Sequence, residues 1–67
     1  MIKQKDLTES DIGKEVFYYD GKSGGKYGLI KSWNESFIFV VFNYNNDVEN
    51  FKDYTGQACE GKFLIFR

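Results

Sequence analysis

The sequence predicts a small all-β barrel, and three observations carry that reading. Two apolar, β-prone runs flank the short polar break Asn34-Glu35-Ser36 within YGLIKSWNESFIFVVF, residues 27–42. This is a β-hairpin signal, because Asn tolerates the positive φ of tight turns and Phe, Ile and Val fit a pleated, half-buried surface. Further short strand-like runs with turn residues between them lie on both sides, at EVFYY (15–19), QAC (57–59) and FLIF (63–66). Finally, no Pro occurs to blunt a sheet edge. An open sheet of this size would leave apolar edges that closure removes.

The elements follow in chain order. Residues 1–6 are polar and are expected to be loose. Thr8 with Asp11 three residues on resembles a capping box, and Gly13 supplies a stop, so one short helical turn is expected with Leu7 and Ile12 as core plugs. Strands are expected over 15–19, 27–33 and 37–42, with Asp20–Lys26 a mobile glycine-rich loop and Asn43–Asn50 a polar turn region. Phe51–Tyr54 fits a brief strand or a helical turn. Gln57–Cys59 reads as extended, Glu60–Lys62 as a turn and Phe63–Phe66 as a closing strand. No internal repeat or second domain is visible, so residues 1–67 form one domain.

A three-residue hairpin loop pairs Trp33 with Phe37 and opposes Ile30 to Val40. One face then collects Val16, Tyr18, Gly28, Ile30, Ser32, Ile38, Val40, Phe42, Ala58, Leu64 and Phe66. The opposite face carries Phe17, Tyr19, Tyr27, Leu29, Trp33, Phe37, Phe39 and Val41, too apolar for a plain solvated surface. The helical turn, the 43–57 segment or a partner must cover it. In this register, truncating Leu29 should cost less stability than truncating Ile30 or Val40.

Composition narrows function. A chain of 67 residues buries only roughly 60% of its unfolded surface. Its seven Phe, five Tyr and one Trp build a core without disulfides, and most of these rings are expected inside. The net charge of −1 is not that of a general phosphate binder. Residues 1–31 hold six Lys against five acids, and residues 32–67 three cations against five, a second half too weakly acidic for a DNA mimic. The single Cys59 cannot form an internal disulfide, and neither a signal peptide nor an apolar run of membrane-spanning length is visible, so a cytoplasmic setting is expected. Without His there is no Ser-His or Cys-His couple and no imidazole ligand.

Motif searches point the same way. Gly21-Lys22-Ser23 lacks the upstream Gly of a phosphate loop, since residue 16 is Val, and no helix follows Gly24-Gly25. A calcium-loop frame starting at Asn43 finds Val48 and Tyr54 where Gly and Glu are needed. Asp47, Glu49, Asp53 and Glu60 read as a solvated acidic edge, and Cys59 as a small buried residue. No catalytic residue, metal or cofactor is expected.

The candidate partner-binding residues are Trp33, Tyr27, Phe37, Phe39 and Tyr19, because Trp and Tyr are enriched at interface hot spots. Lys22, Lys26 and Lys31 are candidate anion contacts for the rival reading, a nucleic-acid or nucleotide-binding barrel whose aromatics stack bases.

D-I-G-K-x-V at 11–16, Y-G-L-I-K-S-W-N at 27–34, F-I-F-V at 37–40 and G-Q-A-C-E-G-K-F-L-I-F at 56–66 together resemble small SH3-like (KOW/Tudor-like) barrel proteins of bacteriophages and mobile elements. The resemblance covers residues 11–66 and implies a five-stranded SH3-like barrel with a short N-terminal helical turn. It further implies a non-enzymatic accessory or counter-defence protein that binds or sequesters a host protein in the host cytoplasm. Two departures favour a protein partner or self-association over nucleic acid. Val41 stands where a basic residue is common, and the 43–55 segment is longer and more aromatic than the pattern.

Overall fold

Every strand expected from the alternation forms, each within a residue of its expected start. The computed structural model describes residues 1–22 and 24–67; Ser23, in the glycine-rich loop and the rejected phosphate-loop frame, lies outside the described residues. The strands are β1 (Glu15–Tyr18), β2 (Lys26–Trp33), β3 (Ile38–Val41), β4 (Gln57–Cys59) and β5 (Leu64–Phe66). They form one antiparallel sheet in the order β4-β3-β2-β1-β5, with β4 and β5 at its edges. Short 3-10 turns at Gln4–Asp6, Glu9–Asp11, Val48–Asp53 and Gly61–Phe63 supply the helical content. The chain is therefore all-β.

The turn before β1 forms as its residues dictate. The Thr8 N–H donates to Asp11 Oδ2 at 2.9 Å, and the Asp11 N–H donates to the Thr8 carbonyl at 2.9 Å. Hydrogen bonds from Lys14 and Thr8 hold the Asp11 carboxyl below the usual carboxylate range. Gly13 then takes φ +92°, a left-handed conformation that favours glycine, and ends the turn.

Pairing in the central hairpin departs from expectation at one residue. Ile30 opposes Val40 as expected, but Trp33 pairs with Ile38 and Ser32 with Phe39, because the register shifts between Ile30 and Ser32. Lys31 is the extra residue of a β-bulge. The turn widens to match: Asn34 Oδ1 accepts from the N–H groups of Ser36 and Phe37, both at 2.8 Å. Asn34 thus shapes the turn through its side chain. The positive-φ asparagines are Asn45 and Asn46, in the turn after β3.

The main core lies on the face expected for it, with Val16, Ile30, Ile38, Val40 and Leu64 fully buried and Cys59 nearly so. Three residues expected there are not buried with that core: Ala58, Phe66 and Ser32, which the bulge turns to the other face. Ala58 is exposed, since it opposes Phe39 while Cys59 opposes Ile38 and turns inward. Phe66 is 45% exposed at the end of edge strand β5. Strand alternation places neighbours on opposite faces, so Ala58 and Cys59 could not both be core.

Residues 1–6 are not loose. Ile2 is buried in the main core with Leu7, and its N–H donates to the Gly61 carbonyl at 2.9 Å. The two backbones meet so closely that a Cβ on Gly61 would collide with the Ile2 carbonyl oxygen. Gly61→Ala should therefore destabilise the protein by about 1–3 kcal/mol, as overpacking does. A urea midpoint that falls at unchanged slope is the expected readout. A midpoint unchanged from the parent would mean that the N-terminal segment lifts off at no cost.

The opposite face is covered in part by the chain itself. Leu29 and Val41 form a second core with Phe51, flanked by Ile12, Tyr44 and Tyr54. Both covering elements named from sequence contribute, Ile12 from the end of the Glu9–Asp11 turn and Phe51 from the 43–57 segment. The Lys31 ammonium donates to the Tyr54 carbonyl at 2.9 Å and straps that segment down.

Candidate functional site

One part of this second face remains open. Phe17 sits at its centre, paired with Tyr27 of β2 on one side and Ile65 of β5 on the other. The Phe17 and Tyr27 rings are 4.9 Å apart between centroids, and Tyr19 stacks on Phe17 at 6.5 Å. Tyr19, Tyr27 and Ile65 are each about half exposed, at 53%, 49% and 52%. Gly25 presses on the Phe17 ring so closely that no Cβ fits between them. Arg67 borders the patch, with its guanidinium 4.9 Å from the Tyr27 ring centroid and 2.7 Å from Glu15 Oε1. The Glu15 carboxylate raises the arginine pKa further, so the charge is held in place. The result is an exposed aromatic and aliphatic surface that includes two tyrosines and is bordered by one ion-paired arginine.

The structure brings together Tyr19 and Tyr27 of the five candidate partner-binding residues, joined through Phe17. It does not bring Trp33 to them. The Lys31 bulge turns Trp33 toward the main core, where it packs half-buried at the far end of β2. There it borders a groove of about 550 Å³ lined by Lys3, Gln4, Lys5, Trp33, Asn34 and Glu35. Phe37 is 40% exposed at the hairpin turn. Phe39 is half-buried in a separate depression with Lys31, Ser32 and Gly56.

The three candidate anion contacts have different local partners. The Lys22 N–H donates to Asp20 Oδ1 at 3.0 Å, and this bond lowers the Asp20 pKa. The Lys26 ammonium lies 4.5 Å from the centroid of the Phe42 ring. Lys31 is spent on the Tyr54 carbonyl. Burial raises the Cys59 pKa, which keeps the thiol protonated near neutral pH. Burial also raises the Tyr18 pKa, reinforced by Asp20, whose carboxylate accepts from the Tyr18 hydroxyl at 3.3 Å. Among the described residues no group of three or more Cys, Asp or Glu side chains is placed to hold a metal ion, and no helix is long and apolar enough to cross a membrane.

Phe17, Ile65 and Arg67 complete the patch and were not among the sequence candidates. Alternation along EVFYY placed Phe17 on this face, which was the available signal. Ile65 and Arg67 arrive through the β1–β5 pairing, which no local pattern announces. No family, no curated protein and no solved structure matches this chain.

Proposed function

We propose that this protein is a non-enzymatic binding module that captures a protein partner on the Phe17–Tyr19–Tyr27–Ile65 patch. The observation that carries this reading is the uneven cover of one sheet face. Phe51 buries Leu29 and Val41, while Tyr19, Tyr27 and Ile65 of the adjoining cluster stay about half exposed. Large, rigid aromatic groups with a polar tip are the side chains that dominate interface energetics. The proposed scaffold is an SH3-like barrel; support comes from the meander β1–β4, from β5 returning beside β1, and from a core to which all five strands contribute. In keeping with the sequence resemblance, the proposed setting is a phage or mobile-element accessory protein that sequesters a host factor in the host cytoplasm. The separate engagement of Lys26 and Lys31 favours a protein over a nucleic acid.

The test is retention of a host protein on the immobilised chain. Tyr27→Ala should weaken capture by roughly thirtyfold or more, the loss of about 2 kcal/mol typical of an interface anchor. Lys22→Ala should leave it unchanged, and retention should survive raised salt. Equal retention by the Tyr27 variant, or loss on the Lys22 change, would transfer the function to another surface.

A further inference from the structure

The edge strand β5 carries hydrogen-bonding groups that the monomer leaves unused. Tyr19 N–H donates to the Phe63 carbonyl at 3.0 Å, and Arg67 N–H to the Glu15 carbonyl at 3.1 Å. Residues 63 and 67 therefore face β1, with Ile65 between them opposite Phe17. Antiparallel alternation then turns the N–H and C=O of Phe66 away from the sheet. Leu64 turns the same way, but its N–H is taken by the Gly61 carbonyl. Among the described residues no group is paired with the Phe66 N–H or C=O.

The usual protections of an edge are weak here. β5 is short, but its residues Leu64, Ile65 and Phe66 are all apolar, without a Pro, a charge or a register shift against β1. Ile65 and Phe66 are about half exposed. The surrounding charges select the occupant. Each cation beside β5 already holds an acid: Lys14 with Asp11 at 2.9 Å, Lys62 with Glu60 at 3.8 Å, and Arg67 with Glu15 at 2.7 Å. The same three cations also lie over rings, Lys14 over Phe66, Lys62 over Phe63 and Arg67 over Tyr27. The edge is locally neutral, and the chain carries a net charge of only −1. It offers little electrostatic attraction to an acidic or basic strand and little repulsion to its own copy.

We propose that β5 is the pairing edge of a two-fold homodimer centred on Phe66. The Phe66 N–H of each copy donates to the Phe66 carbonyl of the other, which satisfies the free groups of Phe66 and leaves the Leu64 N–H with Gly61. The two Phe66 side chains face each other across the axis, and Ile65 of each copy lies opposite Arg67 of the second. A two-fold contact of this kind is self-complementary. The open aromatic patches of the two copies then join into one surface. This inference stands on backbone geometry and goes beyond the partner-binding reading, which survives its failure.

Light scattering over a concentration series, with amide hydrogen exchange of Phe66, tests it on the full chain. The expected result is a mass rising from 7.8 kDa toward twice that value, with Phe66 amide protection rising in step. Phe66→Asp and, separately, Ile65→Lys should each return the protein to monomer with the circular dichroism of the parent. Val48→Asp, an exposed change after β3, should leave the dimer intact. The proposal is overturned by a monomer at every concentration up to about 1 mM, the limit of weak association. It is also overturned by a dimer whose Phe66 amide stays unprotected, or by one that both edge variants retain.

Discussion

Ile30→Ala should destabilise the protein by about 2–5 kcal/mol, the range for removing a large aliphatic side chain from a tight core. Ile30 is completely buried at the centre of β2 and opposes the equally buried Val40. Its backbone also anchors the N-terminal turn, accepting from Gly13 N–H at 2.8 Å and donating to the Lys14 carbonyl at 3.1 Å. A single core in so small a domain rarely supplies more than about 3–5 kcal/mol of net stability. The variant should therefore be largely unfolded near room temperature, read as loss of the near-ultraviolet aromatic signal. A midpoint within about 1 kcal/mol of the parent would show that the core does not centre on this residue. Leu29→Ala belongs in the same experiment. The sequence reading ranked it clearly milder, but Leu29 is only 5% exposed beneath Phe51, so its cost should approach that of Ile30.

Phe51→Ala should be nearly as severe, at about 3 kcal/mol or more, by the cost of emptying a buried aromatic site. Phe51 is the one buried residue of the Val48–Asp53 turn, and its ring edge lies 3.7 Å from the position a Cβ on Gly13 would take. Its removal loosens the cover from both sides and exposes Leu29 and Val41. Stronger binding of a hydrophobic dye, with the main core still folded at low temperature, would separate local uncovering from global collapse. An unchanged melting temperature would mean that Tyr44, Tyr54 and Ile12 cover the face without Phe51.

These two residues also mark what the sequence could and could not convey. Ile30 was legible because period-2 alternation is strong on both sides of it, and its partner Val40 followed from hairpin geometry. The bulge at Lys31 was not legible. Lys31 and Ser32 are both polar, so an inserted residue there disturbs no hydrophobic pattern, yet it reverses the face of everything up to the turn. That reversal is why Trp33, grouped with Tyr27 by simple alternation, packs on the core side. Ile2 was hidden for a different reason: one apolar residue among Lys3, Gln4 and Lys5 carries no periodicity, and its burial depends on Gly61 at the other end of the chain. The open patch was half legible. Its tyrosines were named from sequence, whereas Ile65 and Arg67 come from a pairing across most of the chain.

That long-range pairing has a kinetic consequence. Strands β1 to β4 follow one another in the sheet, and each can pair with its predecessor by closing a modest loop. β5 must instead return to β1, and Ile2 must find Gly61, each closing a loop that spans most of the protein. Loop closure of that length costs entropy before any contact offsets it. The meander is thus expected to assemble first and the two terminal segments to dock last, in one late step. Until that docking, Phe17 lacks its neighbour Ile65 and the main core lacks Leu64, so the binding surface and the finished fold would mature together.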